Sequence, residues 1–183
     1  MEGDDYAYAQ IYDLCGDDML VYGLHFTSDR ELVKDCMQDV FVDLYKRRRK
    51  LEKEMDNVKC YLFIALKNKL FDAFKKSVEF YQIETLEPVF HTEYTVEDLF
   101  IRSETNRHQR AKIKEILQRL TPRQHEVIYY RYVEEMSYEE IGKLMQMNVQ
   151  SVRNLLSRSI QRARDFVSEY VFSLILLVQL FWS

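Results

Sequence analysis

The stretch EEIGKLMQMNVQSVRNLLSRS, residues 139–159, has the pattern of two short helices joined by a tight turn. Its apolar side chains are spaced so that two crossed helices can pack against each other, at Ile141, Leu144, Val152 and Leu156. Gly142 puts no side chain where we expect the helices to approach most closely. The stretch therefore predicts a helix-turn-helix.

The second helix of this pair is basic, although the whole chain is acidic. The chain has Lys+Arg 26 against Asp+Glu 30, a net charge of −4. Between Val149 and Arg164, however, there are four arginines and no acid. DNA responds to this local face, because charges farther away than a Debye length of ~8–10 Å are screened. We interpret the second helix as one that contacts DNA.

Base-reading side chains are expected on the outward, N-terminal part of that helix. Arginine can form two hydrogen bonds to guanine, and asparagine two to adenine, each pair giving roughly 1–3 kcal/mol of discrimination. The predicted DNA contacts, of which Arg162 is expected on phosphate, are Gln150, Ser151, Arg153, Asn154, Ser157, Arg158 and Arg162. The alternative is an ordinary helical hairpin with a solvated basic face.

The composition favours helices throughout the chain. Only 4 Gly and 2 Pro occur in 183 residues, too few to punctuate a β-fold of many turns. Hydrophobic residues make up 47% of the chain, which excludes a wholly disordered protein. We expect an all-α protein with room for one domain of ordinary size or two small ones.

No pattern in the chain points to catalysis. The sequence has no metal-ligand spacing, no nucleophile motif and no phosphate-binding or dinucleotide fingerprint. Cys15, Cys36 and Cys60 are widely spaced and odd in number, so we expect buried free thiols in a reducing cytoplasm. The acidic, polar N-terminus is not the pattern of a signal peptide. We expect no enzyme activity, no cofactor, no metal and no small-molecule substrate.

Capping patterns and apolar periodicity predict six helices. Capping boxes mark starts at Ser28 with Glu31, Thr121 with Gln124, Ser137 with Glu140 and, more weakly, Thr95 with Asp98. Single caps are expected at Asn57 and Asn148. The predicted helices cover residues 29–46, 58–76, 96–119, 122–134, 138–145 and 149–165.

The distribution of charge divides the chain into two bodies and a connector. Residues 1–77 carry 13 basic and 15 acidic groups, and residues 111–165 carry 10 basic and 7 acidic groups. Between them, residues 78–94 hold four Glu and no Lys or Arg. We therefore predict two small helical domains joined by an acidic linker, with boundaries at 1–77, 78–95, 96–166 and a hydrophobic tail at 167–183.

Two motifs of the first body, ELVKDCMQDVFVDLYKRR (31–48) and YLFIALKNKLFDAFKK (61–76), resemble region 2 of the extracytoplasmic-function (ECF) sigma factors. The matching residues are Asp35, Gln38, Asp39, Phe41, Leu62, Asn68, Asp72 and Lys75. Residues 111–165 resemble region 4 of the same family, in the family's order. One departure is Gln146, which stands where the family has a turn glycine.

The resemblance implies a promoter-recognition subunit of bacterial RNA polymerase. Its partners would be core RNA polymerase, promoter DNA and an anti-sigma factor. Region 4 would read the −35 duplex with the basic helix. The polymerase contacts implied for region 2 are Asp35, Gln38, Asp39, Phe41 and Asp43. Its contacts to the single-stranded −10 element would be Lys59, Tyr61, Phe63, Lys67, Asn68, Lys69 and Asp72.

Other interpretations stay open at this stage. At least one of Tyr61 and Phe63 is expected in the core, and Asn68 and Asp72 could serve only to fix their helix by hydrogen bonds. For the whole chain, the rival is a free-standing dimeric helix-turn-helix regulator, and a membrane-linked adaptor is more remote.

The connector is too short to place the two bodies unaided. Promoter elements two DNA turns apart are separated by ~70 Å. A flexible chain of 17 residues averages roughly 20–25 Å and reaches ~60 Å when extended. Polymerase would hold the two bodies apart and raise their effective concentration on DNA.

The tail YVFSLILLVQLFWS, residues 170–183, has an apolar stretch that would span only ~20 Å as a helix, short of a ~30 Å bilayer core. We favour, in this order, a terminal helix packed back on the second body, a docking surface for a regulator and a shallow membrane contact.

Overall fold

The described part of the chain is helical apart from turns, short caps and residues 89–90. The computed structural model describes residues 2–51, 57–81, 89–90, 115 and 117–181, in which no strand occurs. The helices are α1 (Glu2–Leu24), α2 (Arg30–Leu51), α3 (Val58–Tyr81), α4 (Pro122–Tyr132), α5 (Tyr138–Met145) and α6 (Val149–Phe181). The all-α prediction is confirmed.

The chain forms two compact units, Met1–Tyr94 and Thr95–Ser183. The first contains α1, α2 and α3, and the second contains α4, α5 and α6. The predicted helix over 96–119 and the weak capping box at Thr95 fall largely or wholly outside the described residues. The predicted domain boundaries stay predictions.

The core of the first unit is built from aromatic and aliphatic side chains of all three helices. Tyr22 of α1 stacks on Phe63 of α3, with ring centroids 4.2 Å apart and planes 9° apart. From the apolar residues of α2, which recur at helical spacing from Leu32 to Tyr45, the buried side chains are Val33, Cys36, Met37, Val40, Phe41 and Leu44. The first and last members of this stripe are less covered, since Leu32 is half-buried and Tyr45 is 38% exposed.

A glycine lets α1 and α2 approach closely. A Cβ atom added at Gly23 would collide with the side chain of Val33, which is fully buried. Close packing here fixes the angle at which α2 leaves the turn after α1, because interiors leave few voids.

The predicted caps at Thr121, Ser137, Asn57 and Asn148 are confirmed. At Thr121 and Ser137, both hydrogen bonds of the capping box are present. Asn57 Oδ1 accepts from the amide of Cys60 at 3.1 Å, and Asn148 Oδ1 accepts from that of Ser151 at 2.8 Å. These bonds satisfy amides that the first turn of a helix leaves unpaired.

The predicted cap at Ser28 is wrong by one residue. The structure uses Asp29, whose Oδ1 accepts from the amides of Glu31 at 3.1 Å and Leu32 at 3.0 Å. Thr27 Oγ1 in turn accepts from the amide of Asp29 at 3.1 Å. Aspartate and serine cap equally well, so the choice between neighbours depends on the preceding turn rather than on the motif.

Several helices differ from prediction in length or existence: α2 extends to Leu51, past the predicted end at residue 46, and α4 ends at Tyr132, two residues early. α1 was not predicted, because its apolar residues are spread around the helix rather than along one face. α3 continues to Tyr81, past the predicted end at residue 76. α6 continues without a break to Phe181, so the tail extends the predicted DNA-contacting helix. The prediction of a terminal helix separate from the DNA-contacting helix is therefore wrong, and the packing of the tail stays a prediction.

Candidate nucleic-acid interface

The turn between α5 and α6 relies on one residue in the left-handed region. Gln146 has φ 53° and ψ 46°, and its amide donates to the carbonyl of Gly142. The amide of Met147 also donates to Gly142 O, at 2.9 Å. Glycine is the residue that adopts this conformation without a steric cost. The missing turn glycine noted in the sequence is therefore a site of backbone strain.

Gly142 makes room for this turn. An added Cβ would lie 2.7 Å from the carbonyl oxygen of Met147 and 4.0 Å from Val152 Cγ2. The close approach predicted at Gly142 exists, but its tightest neighbour is the backbone of the turn rather than the facing helix. The predicted helix-pair core is confirmed, since Ile141, Leu144, Val152 and Leu156 are all at most 4% exposed.

The predicted DNA contacts lie on the outward side of α6. Six of them are exposed: Gln150, Arg153, Asn154, Ser157, Arg158 and Arg162. Ser151 is half-buried, and its amide is held by the cap at Asn148.

Hydrogen bonds along this face link residues one helical turn apart. Gln150 Nε2 donates to Asn154 Oδ1 at 3.0 Å, and Arg158 Nε donates to the backbone oxygen of Asn154 at 3.3 Å. The amide group of Asn154 keeps a donor that a base edge can use. The predicted residues therefore form one continuous polar face.

Arg131 and Tyr138 also belong to this surface, although the sequence analysis did not predict them there. The guanidinium carbons of Arg131 and Arg153 each lie 5.1 Å from the ring centroid of Tyr138. Arg131 also donates to the backbone oxygen of Met136 at 2.8 Å. One aromatic ring thus holds two arginines near the start of α6. The only sequence signal was the position of Tyr138 within the capping box, which we interpreted as structural.

A second ring lies farther along α6. Arg162 and Arg119 approach Phe166, with guanidinium carbons 6.0 Å and 5.0 Å from its centroid. Arg162 remains exposed and available to a phosphate.

The acidic face predicted on α2 is largely accessible. Asp35, Gln38 and Asp39 are exposed, and Asp43 is half-buried. Phe41 is 2% exposed, and its ring lies 4.8 Å from that of Tyr12. We therefore correct the assignment of Phe41, which packs in the core and offers no surface to a partner.

The residues predicted on α3 separate into exposed and structural groups. Asn68 and Asp72 are exposed, and Tyr61, Lys67 and Lys69 are half-buried. Phe63 is fully buried against Tyr22, so an unpaired base cannot reach its ring. The expectation that at least one aromatic of this run lies in the core is confirmed, and we withdraw Phe63 as a DNA contact.

Lys59 and Lys69 both pair with carboxylates of the same unit. Lys59 Nζ lies 2.5 Å from Asp18 of α1. Lys69 Nζ lies 3.4 Å from Asp39 and 3.2 Å from Asp43, both on α2. The hydrogen bond to Asp43, together with the charge of Asp39, raises the pKa of Lys69 above its ordinary value. Residues predicted for two different partners thus meet in one ion cluster.

Lys67 rests on aromatic rings. Its Nζ lies 5.7 Å from the centroid of Phe26 and 5.6 Å from that of Phe71. The side chain is therefore held at the edge of the aromatic core rather than extended freely into solvent.

Among the described residues, no cluster of His, Cys, Asp and Glu could hold a metal ion. In the same residues, no helix is long and apolar enough to cross a membrane. Cys36 and Cys60 are buried free thiols, as predicted, whereas Cys15 is half-buried. Burial raises the pKa of Cys36 and of Cys15, which keeps both thiols protonated at neutral pH.

The fold and surface define a DNA-binding protein with two helical units, one of them a helix-turn-helix. Residues 11–79 match the family model for sigma-70 region 2, and residues 110–162 match that for sigma-70 region 4. The chain belongs to the sigma-70 family, with the region 2 and region 4 domains of an ECF sigma factor. Sigma factors recognise promoters for RNA polymerase and have no catalytic activity of their own.

Two solved structures of similar fold are both complexes. RpoE from Bartonella quintana, in complex with the anti-sigma factor NepR, is 19% identical, with a TM-score of 0.60 over 88% of this chain and 97% of that one. CnrH, in complex with the cytosolic domain of CnrY, is 17% identical, with a TM-score of 0.53 over 92% of each chain. No curated protein sequence matches significantly.

Proposed function

We propose that this sigma factor divides its contacts among three helices. α6 reads the −35 duplex, α3 holds the opened −10 strand, and the acidic face of α2 binds core polymerase. The observation that carries the proposal is the exposed face of residues 149–164 of α6, a stretch without an acidic residue, which is built on a helix-turn-helix with both predicted caps in place.

The proposed −35-binding surface consists of the exposed polar face of α6 together with Tyr138 and Arg131, which lie beside Arg153. Arg153 and Asn154 are the base-reading candidates, because they lie near the helix start and have donors directed outward. Arg158 and Arg162 lie one and two turns farther on, where phosphate contacts position a helix in the groove. Ser151, Ser157 and Gln150 complete the surface.

The −10 surface is the exposed side of α3. Asn68 and Asp72 offer polar groups to unpaired bases, Lys67 and Lys69 offer charge to the backbone, and Tyr61 offers a partly exposed ring. Lys59 is a weaker candidate, because Asp18 already neutralises it.

Core polymerase is proposed to bind Asp35, Gln38, Asp39 and Asp43. Three of these side chains are exposed, and together they carry a net negative charge. A basic surface on polymerase would complement them, and such complementarity governs the association rate and specificity more than raw affinity.

Residues 1–77 are proposed as the polymerase and −10 domain, 78–95 as the linker, 96–166 as the −35 domain and 167–183 as a regulatory tail. The similar structure of RpoE holds an anti-sigma factor, and that of CnrH holds the cytosolic domain of CnrY. We therefore propose an anti-sigma factor as a partner of this chain too, and the cytoplasm, where polymerase acts, as its location.

In vitro transcription with purified core polymerase tests the proposal. The protein should direct initiation from specific promoters selected from a genomic library, and should bind the same duplex only feebly by itself. Replacing Arg153 and Arg158 with alanine should abolish selection of the −35 element. Arg123→Ala is the matched control, because Arg123 is exposed on α4 of the same unit.

The rival dimeric regulator makes opposite predictions. It would bind a palindromic operator tightly without polymerase and would run as a dimer on size-exclusion chromatography. Tight, polymerase-independent binding with no specific initiation would overturn the sigma assignment of these surfaces.

A further inference from the structure

Phe90 packs into the core of the first unit, although it belongs to the acidic connector. Its side chain is 4% exposed. Its ring stacks on that of His25, with centroids 4.4 Å apart and planes 15° apart. It also meets the ring of Phe26 edge-on, at 5.4 Å and 82°. The sequence predicted a connector that begins at residue 78, yet this residue lies against the end of α1.

Phe26 links Phe90 to the proposed −10 surface. Besides Phe90, the ring of Phe26 contacts Tyr22 at 5.3 Å and Phe71 at 5.6 Å. Lys67 Nζ lies over both Phe26 and Phe71. The ring of Phe26 thus contacts both the Lys67 ammonium and the ring of Phe90.

We propose that Phe90 is a positioning residue for the −10 surface: docked on His25 and Phe26, it fixes the ring that holds the Lys67 ammonium. The proposal rests on the proposed −10 role of Lys67. Close-packed aromatic groups in edge-to-face contact lose interaction energy when one of them moves. If the connector is drawn away from the first unit, Phe26 loses its contact with Phe90 and the position of the Lys67 ammonium is no longer fixed. In this way the linker is coupled to DNA opening.

The first test needs neither polymerase nor DNA. In the full chain, the rate at which an activated ester acylates Lys67 is measured by mass spectrometry, relative to the exposed Lys75 and Lys76. Phe90→Ala should raise the relative rate about two- to fivefold, the range expected when the cation–π contact between Lys67 and Phe26 is lost because Phe26 is no longer fixed. Phe90→Tyr, which keeps the ring, should stay near the unchanged protein.

Two further variants separate positioning from simple folding. Phe90→Leu fills much of the volume without an aromatic ring, and it should raise acylation of Lys67 while circular dichroism shows an intact fold. Val89→Ala is the neighbouring control, because Val89 is 44% exposed. An unchanged Lys67 rate in both Phe90→Ala and Phe90→Leu overturns the proposal.

The second test is promoter opening at saturating holoenzyme, measured by the permanganate reactivity of unpaired thymines. Phe90→Leu should lower opening at equal promoter occupancy, and Phe90→Tyr should restore it. If Lys67 acylation rises but opening is unchanged, the coupling to DNA is wrong. If the unchanged protein initiates nowhere, the proposed function fails instead, and the acylation result still decides the contact.

Discussion

Lys69 Nζ on α3 lies 3.2 Å from Asp43 Oδ2 on α2 and joins two surfaces that the proposed function assigns to different partners. Asp39 contributes the second carboxylate at 3.4 Å. On the proposed function, Lys69 and a basic surface of polymerase would therefore compete for the two aspartates. A basic polymerase surface that pairs with the two aspartates would leave Lys69 available to DNA.

Lys69→Met should keep or strengthen binding to core polymerase, because it removes a competitor for the aspartates. The combined change Asp39→Asn and Asp43→Asn should weaken that binding. Both changes should alter the free energy of unfolding by less than about 1 kcal/mol, since exposed ion pairs contribute little. Fluorescence anisotropy with labelled protein measures the affinities. If Lys69→Met binds polymerase more weakly than the unchanged protein, Lys69 does not compete with polymerase for the two aspartates.

The pH dependence of this cluster has a definite sign. The ordinary pKa of lysine is 10.5, and that of Lys69 is raised. Its stabilising contribution is therefore complete below pH 10.5 and is lost as the pH rises through the higher folded pKa. Urea unfolding of the unchanged protein and Lys69→Met should thus show a constant difference between pH 7 and 9. A difference that varies across that range would contradict the assignment.

Gln146→Gly should stabilise the protein by about 0.5–1 kcal/mol. The backbone of Gln146 is left-handed at φ 53°, where a Cβ atom is costly and glycine is not. Chemical denaturation measures the gain, and Gln146→Ala, which retains the Cβ atom, is the control. Equal stability of the two variants would show that the turn is not strained.

Gly142→Ala should destabilise the second unit by about 1–3 kcal/mol and weaken −35 binding. The new methyl group would lie 2.7 Å from the carbonyl oxygen of Met147, so the turn that aims α6 must move. Gly16→Ala is the control, because its nearest neighbour among the described residues would be Tyr12 of the same helix, at 3.9 Å, an ordinary contact distance. There the better helix propensity of alanine should stabilise. Thermal melts followed by circular dichroism compare the two.

Two asparagines six residues apart should behave in opposite ways. Asn148→Ala removes the cap of α6 and should cost about 1 kcal/mol of stability. Asn154→Ala lies on the exposed face and should leave stability nearly unchanged while relaxing base preference at one −35 position. Denaturation and promoter selection with holoenzyme measure the two effects. If neither variant changes the base preference at the −35 element, the proposal that α6 recognises these bases is wrong.

Tyr138→Leu should weaken −35 binding about two- to fivefold, whereas Tyr138→Phe should not. Each arginine held by this ring contributes the energy of one cation–π contact, and the phenyl ring preserves it. Competition assays with holoenzyme and a −35 duplex measure the change. A loss in Tyr138→Phe as large as in Tyr138→Leu would assign the effect to the hydroxyl group.

The helix-turn-helix could be predicted closely because its signals are local. The caps at Thr121, Ser137 and Asn148 lie within three residues of the groups they bind, and α5 has the predicted bounds. The choice of Asp29 over Ser28 was harder to predict, because both residue types cap well and only the structure shows the turn in which Thr27 accepts from the amide of Asp29. The strain at Gln146 was visible as a departure from the family pattern.

Long-range packing could not be predicted in the same way. The burial of Phe41 and Phe63 depends on Tyr12 and Tyr22 of α1, a helix without a clear apolar face. The docking of Phe90 joins residues 65 positions apart, and no local pattern encodes such a contact. Arg131 and Tyr138 belong to different helices and meet only after the turn between them is formed.

Because α6 is one continuous helix, its C-terminal end is rigidly connected to its N-terminal end. The helix runs for 33 residues, from the cap at Asn148 to Phe181, a length of ~50 Å. Long helices bend only gently unless a proline, a bulge or an inserted side chain breaks them. On the proposed function, a partner that binds near the C-terminal end of α6 would therefore shift the end proposed to read bases, because both ends belong to one helix that is anchored by the buried Val152 and Leu156.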